Sequence, residues 1–270
     1  MRLLALMVLE VVLGAAWGLV WSVYSRVLVD SGFEGFSYGV LGLAMSASTL
    51  ASYAASSLAY YAGLSRLVMP VSATLLGLGY YALSVGRFVE AAPIALGFAL
   101  GGHTVSTIRA SSYLSSGNPR LIALVYSSSL LGFSLGSLAV ARGYEVNPLY
   151  VVLVVLLAGI AYQWVQGSLR LNPYWQRLLH DLALAVKSGR SFIVTSTILG
   201  LAGGLTLYNM DYFLVTVYNS GEDRIALMLA LSGLGAILAS LTTWRLVGGD
   251  SWSAYAKLVS AQAIIIALIP

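Results

Sequence analysis

Runs of about twenty mostly apolar residues, separated by short polar turns, recur along the chain, and each has the length a helix needs to cross a bilayer core. They occupy residues 3–25, 36–62, 67–85, 88–114, 121–141, 148–168, 191–218 and 224–247, and a ninth begins at 253 and stops at 270. Barrel strands would alternate apolar and polar over about ten residues. These runs are twice as long and do not alternate, so the pattern predicts helices. Pro70, Pro93, Pro119 and Pro148 fall at or near predicted helix starts, where the missing N–H costs nothing and the fixed φ suits the first turn.

Residues 169–190 interrupt the pattern. Within them Trp175, Leu178, Leu179, Leu182 and Val186 recur at helical spacing, with Arg177, Asp181 and Lys187 off that face. This predicts an amphipathic helix, lying either at the lipid interface or on the protein itself. Two parts meet at this linker: six spans in 1–168 and an incomplete set in 191–270. Residues 39–52 can be laid on residues 227–240, and both follow a Ser-Gly pair, Ser31-Gly32 and Ser220-Gly221. A parallel repeat of six helices is a known transporter architecture.

Composition changes the picture in one respect: it makes lipid the solvent. Hydrophobic residues are 59% of the 270 and charged residues 9%, against about 25% charged in a soluble domain. The net charge of +4 does not indicate nucleic acid, because the basic residues are scattered singly between apolar runs. With the N-terminus placed in the cytoplasm, ten of the fourteen basic residues fall on the inner side, leaving Arg26, Arg87, Arg142 and Arg224 outside. Asp30, Glu34, Glu90, Glu145, Glu222 and Asp223 also fall outside. This predicts an integral protein of the cytoplasmic membrane with its N-terminus inside. The first run is too long for a signal peptide's apolar region and reads as a retained helix.

There is no cysteine, which removes disulfides, thiolate metal sites and cysteine nucleophiles. Two histidines and no paired-carboxylate motif argue against an enzyme. No Gly-x-x-x-x-Gly-Lys-Ser loop is present, so direct use of ATP is not expected, and no filter-like segment or ring of charge points to a channel. No metal or organic cofactor is expected.

Ionisable groups inside membrane helices are costly and mark functional candidates. Glu10 lies in the first run between Leu9 and Val11. A carboxyl taken out of water is a candidate proton carrier, or else a near-interface group paired with a base. Asp211 sits in Leu207-Tyr208-Asn209-Met210-Asp211-Tyr212-Phe213, where Tyr208, Asp211 and Tyr212 share one helical face. His103, after Gly101-Gly102, can donate, accept or take a proton, or serve as an ordinary structural hydrogen-bonder. Arg109 is expected to snorkel. Trp17, Trp21 and Tyr24 form one stripe, either lining a cavity for an apolar or cationic solute or packing. Gly132 and Gly136 make a Gly-x-x-x-Gly pair of the kind that lets helices approach closely.

Four features together resemble the major facilitator superfamily of secondary transporters. Residues 31–44, SGFEGFSYGVLGLA, look like its outer loop leading into the second helix. Residues 56–66, SSLAYYAGLSR, occupy the place of its signature turn, Gly-x-Leu-Ala-Asp-Arg-x-Gly-Arg-Lys. Leu58, Ala59 and Gly63 match, Ser56, Tyr60 and Tyr61 replace Gly, Asp and Arg, and Arg66 comes one place late. Residues 112–136 are similar to the inner loop and fifth helix of many members, and six helices precede a basic linker.

The resemblance implies an all-α, polytopic membrane bundle with a six-helix N-terminal half and an incomplete C-terminal half. It implies alternating-access transport of a small organic solute, with protons as a candidate coupling ion. Helices 1, 4, 7 and 10 line the cavity in that family, so Tyr208, Asn209, Asp211 and Tyr212 are expected to face substrate, with Glu10 and Asp211 as coupling candidates. Conventional gating is in question, because tyrosines cannot reproduce the signature's ion pair. The absence of Gly-Pro in the fifth helix, where Ser134 and Ser137 stand, argues against antiport. The family has twelve helices, so the run 263–270, which reads as mid-helix, implies a chain cut short. A non-transporting scaffold descended from transporters is the competing expectation. A ten-helix metabolite transporter would place the repeat earlier than it is found.

Overall fold

In the computed structural model the described residues are 1–166, Lys187 and 211–246, with side chains described as far as Ser240. The amphipathic linker and the ninth run lie outside them. The helices are α1 (Arg2–Asp30), α2 (Phe36–Tyr61), α3 (Ser65–Val85), α4 (Ala92–Leu114, preceded by a 3-10 turn Val89–Ala91), α5 (Pro119–Ala141), α6 (Pro148–Gln166) and α7 (Glu222–Leu246). Residues 211–216 are also helical. Six helices among the described residues are long and apolar enough to cross a membrane. The chain is therefore an all-α, polytopic membrane bundle. α2 has the length, 26 residues, but its serines dilute its apolarity.

The core is apolar, as in a water-soluble protein, but the surface is apolar too and many hydroxyls are buried. Leu43, Leu50, Leu153, Leu157 and Ile160 are exposed, while Ser48, Ser52, Ser56, Ser72, Ser106 and Ser137 are buried. Lipid accepts the leucines, and the hydroxyls need partners inside. Several find one in their own helix: Ser72 donates to the Val68 carbonyl, Ser128 to Leu124 and Ser134 to Leu130, whereas the Ser106 and Ser127 hydroxyls are buried without a partner. Others tie helices together, as when Ser52 donates to the Phe98 carbonyl at 2.6 Å.

The closest packing of α1–α6 is α1 with α5, α2 with α4 and α3 with α6; α3 packs almost as extensively on α4, and α7 packs along α5. Hydrophobicity does not drive helices together in lipid, so close packing must. At the α1–α5 crossing the backbones touch. A Cβ at Gly14 or Gly18 would strike the carbonyl oxygen of Ser129 or Phe133, and one at Gly132 or Gly136 that of Val11 or Ala15. The Gly-x-x-x-Gly of α5 thus meets a second on α1. The α2–α4 crossing uses Gly97 and Gly101 of α4 against Met45, Ser48, Thr49 and Ser52 of α2.

Helix ends follow local chemistry. α1 runs five residues beyond its apolar run because Arg26 pairs with Asp30 one turn on, at 2.9 Å. Gly63, φ +77°, ends α2, and the Leu64 N–H closes back on the Ala59 carbonyl. Pro119 and Pro148 are first residues of their helices and Pro93 the second, but Pro70 lies inside α3. Asn118 caps α5 by accepting the Arg120 N–H at 3.0 Å. Asn118→Ala is expected to cost about 1 kcal/mol, read as a lower unfolding midpoint of the solubilised protein. An unchanged midpoint would show that the cap is dispensable.

Candidate functional site

Glu10 is completely buried on α1, in the half of the bundle nearer Met1. Its carboxyl joins side chains from two other helices. Thr107 of α4 donates to Oε1 at 2.6 Å, and Tyr162 of α6 donates to the same oxygen at 3.0 Å. Nε2 of His103 lies 3.0 Å from Oε2. His103 and Thr107 are one turn apart on α4, so one face presents both. Trp17 stands two turns along α1 from Glu10 and donates its indole N–H to His103 Nδ1 at 2.9 Å, with the two rings within 1° of parallel. Tyr126 of α5 lies within electrostatic reach of Glu10 and of Tyr53 on α2.

Thr107 and Tyr162 carry hydroxyls, which accept as well as donate. As a carboxylate, Glu10 receives both hydroxyls and the His103 N–H. As an acid, it can donate to either hydroxyl oxygen. Each of the two hydroxyls that Glu10 Oε1 receives can thus serve the carboxylate as a donor or the acid as an acceptor, in a buried place. A buried carboxyl fixed in one state would need only one such arrangement.

The sequence-derived candidates divide between two regions. Glu10, His103 and Trp17 come together. Trp21, partly buried, packs on buried Tyr24 at 5.3 Å between ring centroids. Asp211 and Tyr212 lie near the Asp30 end of the bundle. Tyr212 OH accepts the Gly35 N–H at 2.7 Å and its ring meets Tyr38 at 4.6 Å. Tyr38 OH in turn pairs with Ser25 Oγ at 2.8 Å, and Asp211 is within electrostatic reach of Tyr38. Arg26 bridges from Asp30 to Asn219 Oδ1 at 3.3 Å. Tyr208 and Asn209 lie outside the described residues.

At the signature-like turn Leu58 is exposed, Ala59 partly buried and Arg66 exposed. Tyr60 is buried, and the Arg109 guanidinium sits 5.6 Å from its ring centroid. A cation–π contact between α2 and α4 stands where the resemblance calls for a charged one.

Sequence reasoning missed Thr107 and Tyr162. Thr107 had a signal, a hydroxyl four residues after a flagged histidine. Tyr162 had none, sitting at the end of an apolar run beside Gln163. Among the described residues no group of three His, Asp or Glu is placed to hold a metal ion. No protein-family model matches the chain, and no curated protein or solved structure matches it significantly.

Proposed function

We propose that this protein is a secondary-active transporter that moves a small organic solute by alternating access, with Glu10 carrying a coupled proton. The single observation behind this reading is the Glu10 cluster, a wholly buried carboxyl held by His103, Thr107 and Tyr162, two of which carry hydroxyls able to donate or accept. A scaffold has no use for a group that expensive to bury.

The helix pairing supports the same reading. Exchanging α1 with α4, α2 with α5 and α3 with α6 turns the α1–α5 pair into α4–α2 and returns α3–α6 to itself. Such pairing is expected of a three-plus-three inverted repeat, the unit of rocking transporters. It fits the major facilitator resemblance, in which residues 1–168 would form one half of the transporter. In this reading the Met1 face is cytoplasmic, by the distribution of basic residues. Contacts of Arg26, Gly35 and Tyr38 with Tyr212 and Asn219 close the opposite face. The abundant hydroxyls favour a weakly charged organic solute.

The test is uptake of a solute panel into proteoliposomes with an imposed pH gradient. Accumulation that a protonophore abolishes is the expected result. A folded protein that accumulates no solute, or one indifferent to the protonophore, overturns the proposal.

The closed face carries its own prediction. The chain has no cysteine, so Ser25→Cys introduces a single buried reporter. Adding Arg26→Ala and Tyr212→Phe removes contacts worth together about 1–2 kcal/mol, which should raise labelling by a water-soluble maleimide about 5–30-fold. Unchanged labelling would mean these contacts do not hold the face shut.

A further inference from the structure

The Trp17 contact restricts what His103 can do. An indole nitrogen only donates, so Nδ1 of His103, 2.9 Å from it, must be the bare nitrogen. The one proton of a neutral imidazole then sits on Nε2, which points at Glu10 Oε2. A second proton on His103 would have to go on Nδ1, and there it would meet the Trp17 N–H head-on, donor against donor. The imidazolium and the Trp17 contact exclude each other.

We infer that Trp17 is a positioning residue: its indole N–H holds His103 neutral, so the cluster takes up a single proton, on Glu10, for as long as Trp17 stays in place. This rests on the proposed role of Glu10 and adds the rule by which its neighbour is kept from sharing that role. Without the lock, Nδ1 of His103 has no donor facing it and is open to a proton of its own. Trp17 and His103 belong to different helix pairs. Any movement that separates α1 from α4 breaks the contact and opens Nδ1, so the number of protons held becomes a function of conformation.

The other polar groups around the cluster do not replace Trp17. Thr107 and Tyr162 are bonded to Glu10 Oε1. Tyr126 of α5 and Tyr53 of α2 lie within each other's electrostatic reach. Arg109, the cation of α4, rests over Tyr60, and Tyr60 reaches Tyr162 electrostatically.

The test is nitrogen NMR of the full chain labelled at histidine, with His180→Gln leaving His103 as the single signal. In the native cluster Nδ1 should remain unprotonated and Nε2 protonated from about pH 8 to pH 5, the range in which free imidazole titrates. Trp17→Phe keeps an aromatic ring and deletes the N–H; it should convert His103 to an imidazolium within that range. A native His103 that becomes doubly protonated, or a Trp17→Phe protein whose Nδ1 stays bare throughout, overturns the inference. If Trp17→Phe does not fold, the native protein still decides. A scalar coupling between Trp17 Nε1 and His103 Nδ1 that persists at pH 5 supports the lock, and its loss there overturns it. These spectra need no solute. Correct spectra with no uptake would sink the transport reading alone, and proton-driven uptake with a titrating native His103 would sink the lock alone.

Discussion

Glu10→Gln is expected to stay folded and to exchange solute across the membrane, but to lose all accumulation driven by a pH gradient. The amide has nearly the shape of the acid. Its oxygen accepts from His103 Nε2, and its NH2 donates to the Thr107 or Tyr162 hydroxyl oxygen, so stability should change by less than about 1 kcal/mol. What the amide cannot do is release a proton. Glu10→Leu differs, because it strands the donors of His103, Thr107 and Tyr162 where water cannot reach. At roughly 0.6–1.7 kcal/mol for each hydrogen bond inside a membrane protein, the loss comes to about 2–5 kcal/mol, readable as a fall in unfolding midpoint. The contrast separates proton handling from structural adhesion. Gradient-driven accumulation by Glu10→Gln would remove Glu10 as the proton carrier. Loss of exchange as well, in a folded protein, would instead place Glu10 in contact with solute.

Gly132→Leu is expected to prevent recovery of a monodisperse protein from detergent. A Cβ at this position already collides with the Val11 carbonyl, which is backbone and cannot rotate aside. Gly132→Ala should therefore cost about 1–3 kcal/mol as overpacking, and the larger side chain should drive α1 and α5 apart. No hydrophobic gain compensates, because lipid is as apolar as the core. Gly235→Ala is the control. Nothing lies within 4 Å of its Cβ position, and a helical alanine gains about 1 kcal/mol over glycine. A Gly132→Leu protein with the native midpoint would contradict the backbone-to-backbone contact.

The helices were legible because a bilayer forces apolar runs of one length, and most ends fall within a few residues of the polar turns that bound them. The exception at Arg26–Asp30 arose because a charged pair along one helix face was read as the end of the helix. The site was legible only in pieces. Glu10, His103 and Trp17 each stood out by residue type, but Glu10 and His103 are 93 residues apart, and no periodicity joins two helices. Tyr162, an aromatic in an apolar helix, carries no mark of its own. Gly14 and Gly18 have the same spacing as Gly132 and Gly136, yet only the crossing reveals that the two motifs interlock.

The glycine contacts have a mechanical consequence. Because backbone lies on backbone at the α1–α5 and α2–α4 crossings, neither helix of either pair can tilt without dragging the other. The buried carboxyl draws on both pairs and on α6: Glu10 and Trp17 from α1, His103 and Thr107 from α4, Tyr162 from α6. An ionised carboxylate grips its donors roughly twice as strongly as a neutral acid does. Protonation of Glu10 would therefore loosen a fastening shared by α1, α4 and α6 at once.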